Sequence, residues 1–147
     1  MPYTVGEMSK LLGVPASTLR YYDKQGLLPF VERSKGGIRI FQDTDLEWLR
    51  IIECLKKSGL SLSEIRRFIL LSMDGDDSID ERLDLMKQQY NVVHQQMQEL
   101  QETLNIVEYK CWYYQTAKER GTLEGMSEIE VPEKYRSVVC HLKNKEE

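Results

Sequence analysis

The first half of the chain breaks into short amphipathic blocks punctuated by glycine, while the second half carries one unbroken apolar stripe. Thr4-Val-Gly-Glu7 is a capping box, in which the threonine hydroxyl and the glutamate satisfy backbone amides reciprocally. Met8, Leu11 and Leu12 follow at helical spacing as an inward stripe, and Gly13 ends the helix. Pro15 suits the first position of a second helix, where its missing N–H is not needed. In that helix Leu19 and Tyr22 turn inward, Arg20, Tyr21 and Lys24 point more outward, and Gly26 closes it. Two short helices joined by a Gly-Val turn predict a helix-turn-helix, whose second helix enters the major groove of DNA.

In PFVERSKGGIRIFQ, β-formers (Phe30, Val31, Ile38, Ile40, Phe41) flank Ser34-Lys35-Gly36-Gly37, which predicts a small hairpin with a Gly-Gly turn. Arg33, Lys35 and Arg39 stud it with positive charge, as suits a wing touching backbone phosphates; the same charges would also blunt a solvated edge. Thr44-Asp-Leu-Glu47 is a second capping box, opening a helix with Leu46, Leu49, Ile52 and Leu55 on one side and Gly59 as its stop. A third box, Ser61-Leu-Ser-Glu64, starts a helix with Ile65, Phe68, Ile69 and Leu71 as its apolar set. Arg66 and Arg67 lie outside that set, as a second phosphate-contacting edge or merely a soluble surface.

Residues 72–78 are polar and glycine-broken, which predicts a linker between a domain over 1–71 and a helix over 79–115. Along that helix the apolar positions are Ile79, Leu83, Met86, Tyr90, Val93, Met97, Leu100, Leu104, Val107, Cys111 and Tyr114. Their intervals alternate 4 and 3 with no glycine or proline inside, a heptad seam that one helix cannot bury alone. The rod would be about 55 Å long at ~1.5 Å per residue. The competing arrangement, an intramolecular helical hairpin, lacks a second helix of comparable length, so self-association is expected. Residues 116–147 form a short, acidic, proline-containing tail.

Charge sharpens this division. The net charge is -4, yet residues 1–40 carry six Lys/Arg against three Asp/Glu, leaving 14 against 21 for the rest. A basic front and an acidic back fit a protein whose front alone meets phosphate. Three widely spaced cysteines (Cys54, Cys111, Cys140) make neither a disulfide framework nor a zinc pattern, and their odd number fits a reducing compartment. The start has no apolar run of signal-peptide length, and no stretch approaches the ~18 apolar residues of a membrane span, so a cytoplasmic protein with no membrane partner is expected.

Thr4-Val-Gly-Glu7, Thr18-Leu-Arg-Tyr-Tyr22, Gly26-Leu-Leu28, Gly37-Ile-Arg39 and Gly59-Leu60-Ser61 occur in order within about the first seventy residues. Together they resemble the MerR family of bacterial transcriptional regulators. Phe41 stands where the family usually has tyrosine, a departure that costs one possible phosphate hydrogen bond. The resemblance implies a mainly α protein: a winged helix-turn-helix DNA-binding domain followed by a long antiparallel coiled-coil dimerisation helix. It also implies that Thr18, Arg20, Tyr21 and Arg39 face DNA, with Tyr22 and Lys24 beside them. An arginine there could read a guanine edge or hold phosphate. The implied partners are a second copy of the chain, double-stranded promoter DNA with a pseudo-palindromic site, RNA polymerase at that promoter, and an unknown small effector. In the family mechanism the regulator bends and untwists an operator whose spacer is too long, and effector binding changes that distortion.

For the effector, Trp112, Tyr113 and Tyr114 could line a pocket or pack the rod's end against a partner's head. Metal sensing needs converging thiolates, and metal-sensing relatives keep a cysteine pair after the rod; Thr116 to Gly125 contains none, so no metal and no cofactor are expected. Cys54 sits where relatives proposed to sense reactive aldehydes or thiol stress carry a cysteine. Lys57 nearby could lower its pKa; the alternative is a buried structural thiol. No nucleophile–base set or phosphate-cradling loop supports an enzyme. The competing function is a dimeric coiled-coil adaptor whose winged head binds protein.

Overall fold

The computed structural model describes residues 1–144 and is mainly helical. Its order is α1 (Val5–Leu12), α2 (Ala16–Lys24), β1 (Glu32–Arg33), β2 (Arg39–Ile40), α3 (Asp43–Lys57), α4 (Leu62–Met73), α5 (Ile79–Arg120) and α6 (Arg136–Asn144), with short 3-10 turns between. The contacts divide it into one unit over Met1–Val92 and a second starting at Val93.

In the first unit α1 starts at the expected box: Thr4 Oγ1 accepts from the Glu7 amide at 3.2 Å and Glu7 Oε2 accepts from the Thr4 amide at 2.8 Å. Gly13 stops it at φ 70°, a left-handed conformation that other residues adopt at a cost. Pro15 caps α2 from just outside, one position earlier than its spacing suggested. Met8, Leu19, Tyr22, Leu27, Leu28, Phe41, Leu49, Ile52, Leu55, Ile65, Phe68 and Ile69 make one core, with Leu85 and Met86 from the first turns of α5 packed on it. Leu11, expected inside, is exposed: at about 100° per residue it lies at the edge of the stripe, beyond Met8 and away from Leu12.

β1 and β2 pair antiparallel with Glu32 opposite Ile40 and Arg33 opposite Arg39. The turn between them closes through Gly37 N–H to the Ser34 carbonyl at 2.9 Å. The cap of α3 differs from expectation. Gln42 and Asp45 form the box, and Asp45 Oδ2 accepts from the Gln42 amide at 2.8 Å, whereas Thr44 lies inside the helix. α4 begins at the expected Ser61–Glu64 box.

The expected linker 72–78 is an ordered corner. α4 runs through Met73, and a 3-10 turn over Gly75–Ser78 leads directly into α5. Ser78 is buried with its hydroxyl bonded to the Leu71 carbonyl, and Arg82 Nη2 donates to the Gly75 carbonyl at 2.6 Å. Its polar residues satisfy the backbone of a tight turn, which composition alone does not distinguish from a flexible joint.

In the second unit α5 continues past Gln115 to Arg120, and Gly121 stops it at φ 79°. The tail then folds back: 3-10 turns over Met126–Glu128 and Glu133–Tyr135 precede α6. Met126 and Ala117 are buried, and Tyr135 packs with Tyr109 and Trp112, all three pairs at 6.0 Å between centroids. Of the seam, Ile79, Leu83, Tyr90, Met97, Leu100, Leu104, Val107, Cys111 and Tyr114 are exposed in the single chain. Met86 departs from it by half-burying itself against the head.

Candidate nucleic-acid interface

Position in α2 sorts the candidate residues into an outer and an inner set. Leu19 and Tyr22, three apart, are both fully buried, so the residues offset from them by half a turn must face out. Arg20, Tyr21 and Lys24 are exposed and Thr18 is half-buried. Ser17 is exposed as well, and 17, 20, 21 and 24 share the 3-and-4 spacing of one helical face. Ser17 is not among the residues expected from the sequence to face DNA, although its helical spacing from Arg20, Tyr21 and Lys24 is visible there.

Tyr22 leaves the DNA-facing set. Its ring is at 0 % exposure, its hydroxyl donates to Glu53 Oε1 at 2.5 Å, and Lys56 Nζ donates to it at 3.0 Å. Burial, then the hydrogen bond to Glu53, pushes the phenol pKa up, while its bond to Lys56 raises that ammonium's pKa. Tyr22 is therefore a core residue that ties α2 to α3.

The wing carries Arg33, Lys35 and Arg39. Lys35 is exposed at the hairpin turn. The two arginines reach back to α2: Arg33 Nη2 and Arg39 Nε both donate to Asp23 Oδ2, at 2.6 and 2.7 Å. Arg33 Nη1 also donates to the Gly37 carbonyl at 2.9 Å, bracing the turn. Helix and wing are thereby joined in one cationic surface of Arg20, Lys24, Arg33, Lys35 and Arg39. Arg66 lies near this surface, its Nε 3.1 Å from where a Cβ on Gly26 would stand. Arg67 instead faces Glu81 at 3.7 Å. Phe41 is wholly buried, its backbone paired with Tyr3.

The sensing candidates lie apart from one another along the chain. Cys54 is exposed, so it is not a buried structural thiol; it borders a shallow depression with Leu11, Leu12, Arg50, Glu53 and Lys57. Trp112 and Tyr113 are half-buried, and Tyr114 meets Tyr113 edge-on at 5.2 Å. Tyr135 packs against Tyr109 and Trp112 of this aromatic cluster. Among the described residues no group of three or more His, Cys, Asp or Glu converges as metal ligands, and no helix is long and apolar enough to cross a membrane.

Two family models match the chain: the MerR HTH family regulatory protein over residues 3–71 and the MerR DNA-binding region over 46–106. An HTH-type transcriptional regulator of Haemophilus influenzae is 44% identical over 133 residues, covering 90% of this chain and 98% of the relative. Among solved structures, HiNmlR, a MerR family regulator lacking the sensor domain and bound to promoter DNA, superposes with a TM-score of 0.78. It is 45% identical and spans 85% of this chain and 99% of its own. A MerR family regulator from Bacillus thuringiensis gives 0.71 at 43% identity, over 76% of this chain and 97% of its own. With both models matched and a relative covered almost end to end, this chain belongs to the MerR family of transcriptional regulators.

Proposed function

We propose that the protein is a transcriptional regulator that binds a pseudo-palindromic promoter operator as a homodimer and acts by distorting that DNA. The observation that carries this reading is the set of cations on α2 (Arg20, Lys24) and on the wing (Arg33, Lys35, Arg39), with Arg33 and Arg39 bonded back to α2 through Asp23. The outward helix face suits a major groove, and the wing suits the flanking phosphates. The DNA-bound state of HiNmlR supports the same assignment. The exposed α5 seam supports a second copy as partner, and two-fold symmetry then gives a two-fold site. Thr18, Arg20, Tyr21 and Arg39 carry base or phosphate contacts, and the remaining cations position the duplex. RNA polymerase meets the protein at the promoter, and the effector acts on the distortion. The relatives being regulators does not favour an adaptor whose head binds protein, nor an enzyme.

The test is binding of the full chain to duplexes from its own upstream region, against a shuffled duplex, at moderate salt. A clear preference is expected, and Arg20→Ala should lower operator affinity by about 1–3 kcal/mol. Equal binding to both duplexes would remove the reading, because phosphate attraction alone has no sequence preference. For the effector, the exposed thiol of Cys54 is the proposed receiving group. In a Cys111→Ser, Cys140→Ser background, alkylation of Cys54 should change operator binding. A thiol inert in the native protein ends that part of the proposal.

A further inference from the structure

Asp23 is an acidic residue within the cationic face. A carboxylate beside a polyanion opposes association, so its presence on the recognition helix calls for a compensating role. The geometry supplies one. A single oxygen, Oδ2, receives Arg33 from β1 and Arg39 from β2, so one carboxylate joins the recognition helix to both strands of the wing. The wing is held at its base, where Phe41 is in the core and Phe30 and Val31 pack against it, but its own ladder is short. Each strand is two residues long, and a lone two-stranded hairpin is marginal in water. Outside the turn, the backbone bridge between Tyr3 and Phe41 anchors its base.

The Asp23 and Arg39 side chains are only 17% and 22% exposed, so this pair is screened less than an open surface pair. Arg39 is held through Nε, on the edge of its guanidinium. Both terminal nitrogens are left without a described protein partner, on a guanidinium that the Nε bond restrains. Orientation of this kind matters most for bidentate contacts, which lose strength quickly when the fork turns.

We infer that Asp23 is a positioning residue: it registers the wing, and Arg39 above all, against the recognition helix, so operator selectivity depends on a carboxylate that need not touch DNA. The inference rests on the regulator reading above. It predicts effects of opposite sign on two DNAs. Removing the charge strengthens generic attraction to phosphate, while freeing the wing weakens the contacts that only the right sequence can make.

The experiment measures full-chain binding to the operator and to a shuffled duplex of equal length, for the wild type, Asp23→Asn and Asp23→Glu. For Asp23→Asn the operator affinity should fall about tenfold, while shuffled-duplex affinity holds or rises. Asp23→Glu should restore most of the lost ratio. In an Arg39→Gln background, Asp23→Asn should have little further effect on the operator, since its main client is already gone. Arg33→Gln, at a half-exposed side chain, is a second probe that survives any folding failure of Asp23→Asn; it should lower the same ratio by roughly threefold. A ratio unchanged in these variants overturns the inference, as does a parallel rise on both duplexes. A wild type without sequence preference would instead overturn the regulator reading, so the two failures are distinct.

Discussion

Tyr22 sits between two groups of opposite charge, donating to Glu53 at 2.5 Å and accepting from Lys56 at 3.0 Å while Lys56 also lies 5.1 Å from its ring centre. Removing that hydroxyl leaves a half-buried carboxylate and an ammonium without their shared partner. Tyr22→Phe should therefore cost about 1–2 kcal/mol in urea unfolding. The folded variant should still bind operator normally, because the phenol contacts α3 rather than the surface. A large affinity loss at full stability would restore Tyr22 to the interface. Gly26 makes the complementary case. Its φ is 76°, and an added Cβ would meet Arg66 Nε at 3.1 Å, so Gly26→Ala combines backbone strain with displacement of a cation. Thermal unfolding should show a loss on the order of 1–2 kcal/mol. Helical spacing in the sequence already turned Tyr22 inward beside Leu19, and the family resemblance placed it with the DNA set. The packing sides with the spacing. Asp23 was not legible as a clamp, because its two partners are ten and sixteen residues away and only the folded wing brings them to it.

Capping boxes located two helix starts and misplaced a third, for a physical reason. Any Thr-x-x-Glu can form the reciprocal bonds, but the pattern does not exclude a helix that starts further upstream. At α3 the helix already begins at Asp43, so Gln42 and Asp45, not Thr44 and Glu47, occupy the capping positions. Ser61→Ala should then cost about 1 kcal/mol, while Thr44→Ala, at an exposed site inside α3, should stay within about 0.5 kcal/mol, both read by chemical denaturation. Equal losses would return the cap to Thr44. The caps also set an acid limb. Backbone and side-chain hydrogen bonds from Thr4 and Ser61 hold the carboxyls of Glu7 and Glu64 below their ordinary pKa. For an acid depressed on folding, the contribution is complete above the unfolded pKa and is lost as pH falls through the folded one. Unfolding midpoints should drop on acidification below about pH 4.3, and Glu64→Gln should flatten part of that drop. Asp45 works with the opposite sign: burial raises its pKa, so protonation relieves a cost there. The elements that sequence missed are those without a local stop or start signal. α6 follows the 3-10 turn over Glu133–Tyr135, which has no side-chain cap and whose Tyr135 packs against Tyr109 and Trp112, a contact that no periodicity announces.

At the scale of the molecule, α5 presents two apolar sides that are treated differently. Tyr109 and Trp112 are half-buried with Tyr135 of the returning tail packed on them, whereas the heptad positions other than Met86 and Val93 stay open, with Met97 and Leu100 at 65% and 70% exposure. A tail that covers one side and leaves the seam bare is what a helix needs if a second copy is to take the seam. Exposed apolar rows of this length are uncommon on proteins that remain single. The double variant Leu100→Asp, Leu104→Asp places two charges where a partner helix would bury methyl groups, which desolvation strongly disfavours. The first unit's core includes neither residue, so its fold and its cationic face should survive. Sedimentation should then show a monomer, and operator affinity should fall by a factor of about 10²–10⁴, since each head would have to bind its half-site without the other. Affinity for an isolated half-site should not change. If the variant stays dimeric with full operator affinity, the seam is not the association surface. If it becomes monomeric and still binds the whole operator as tightly as before, the two-headed account of recognition fails instead.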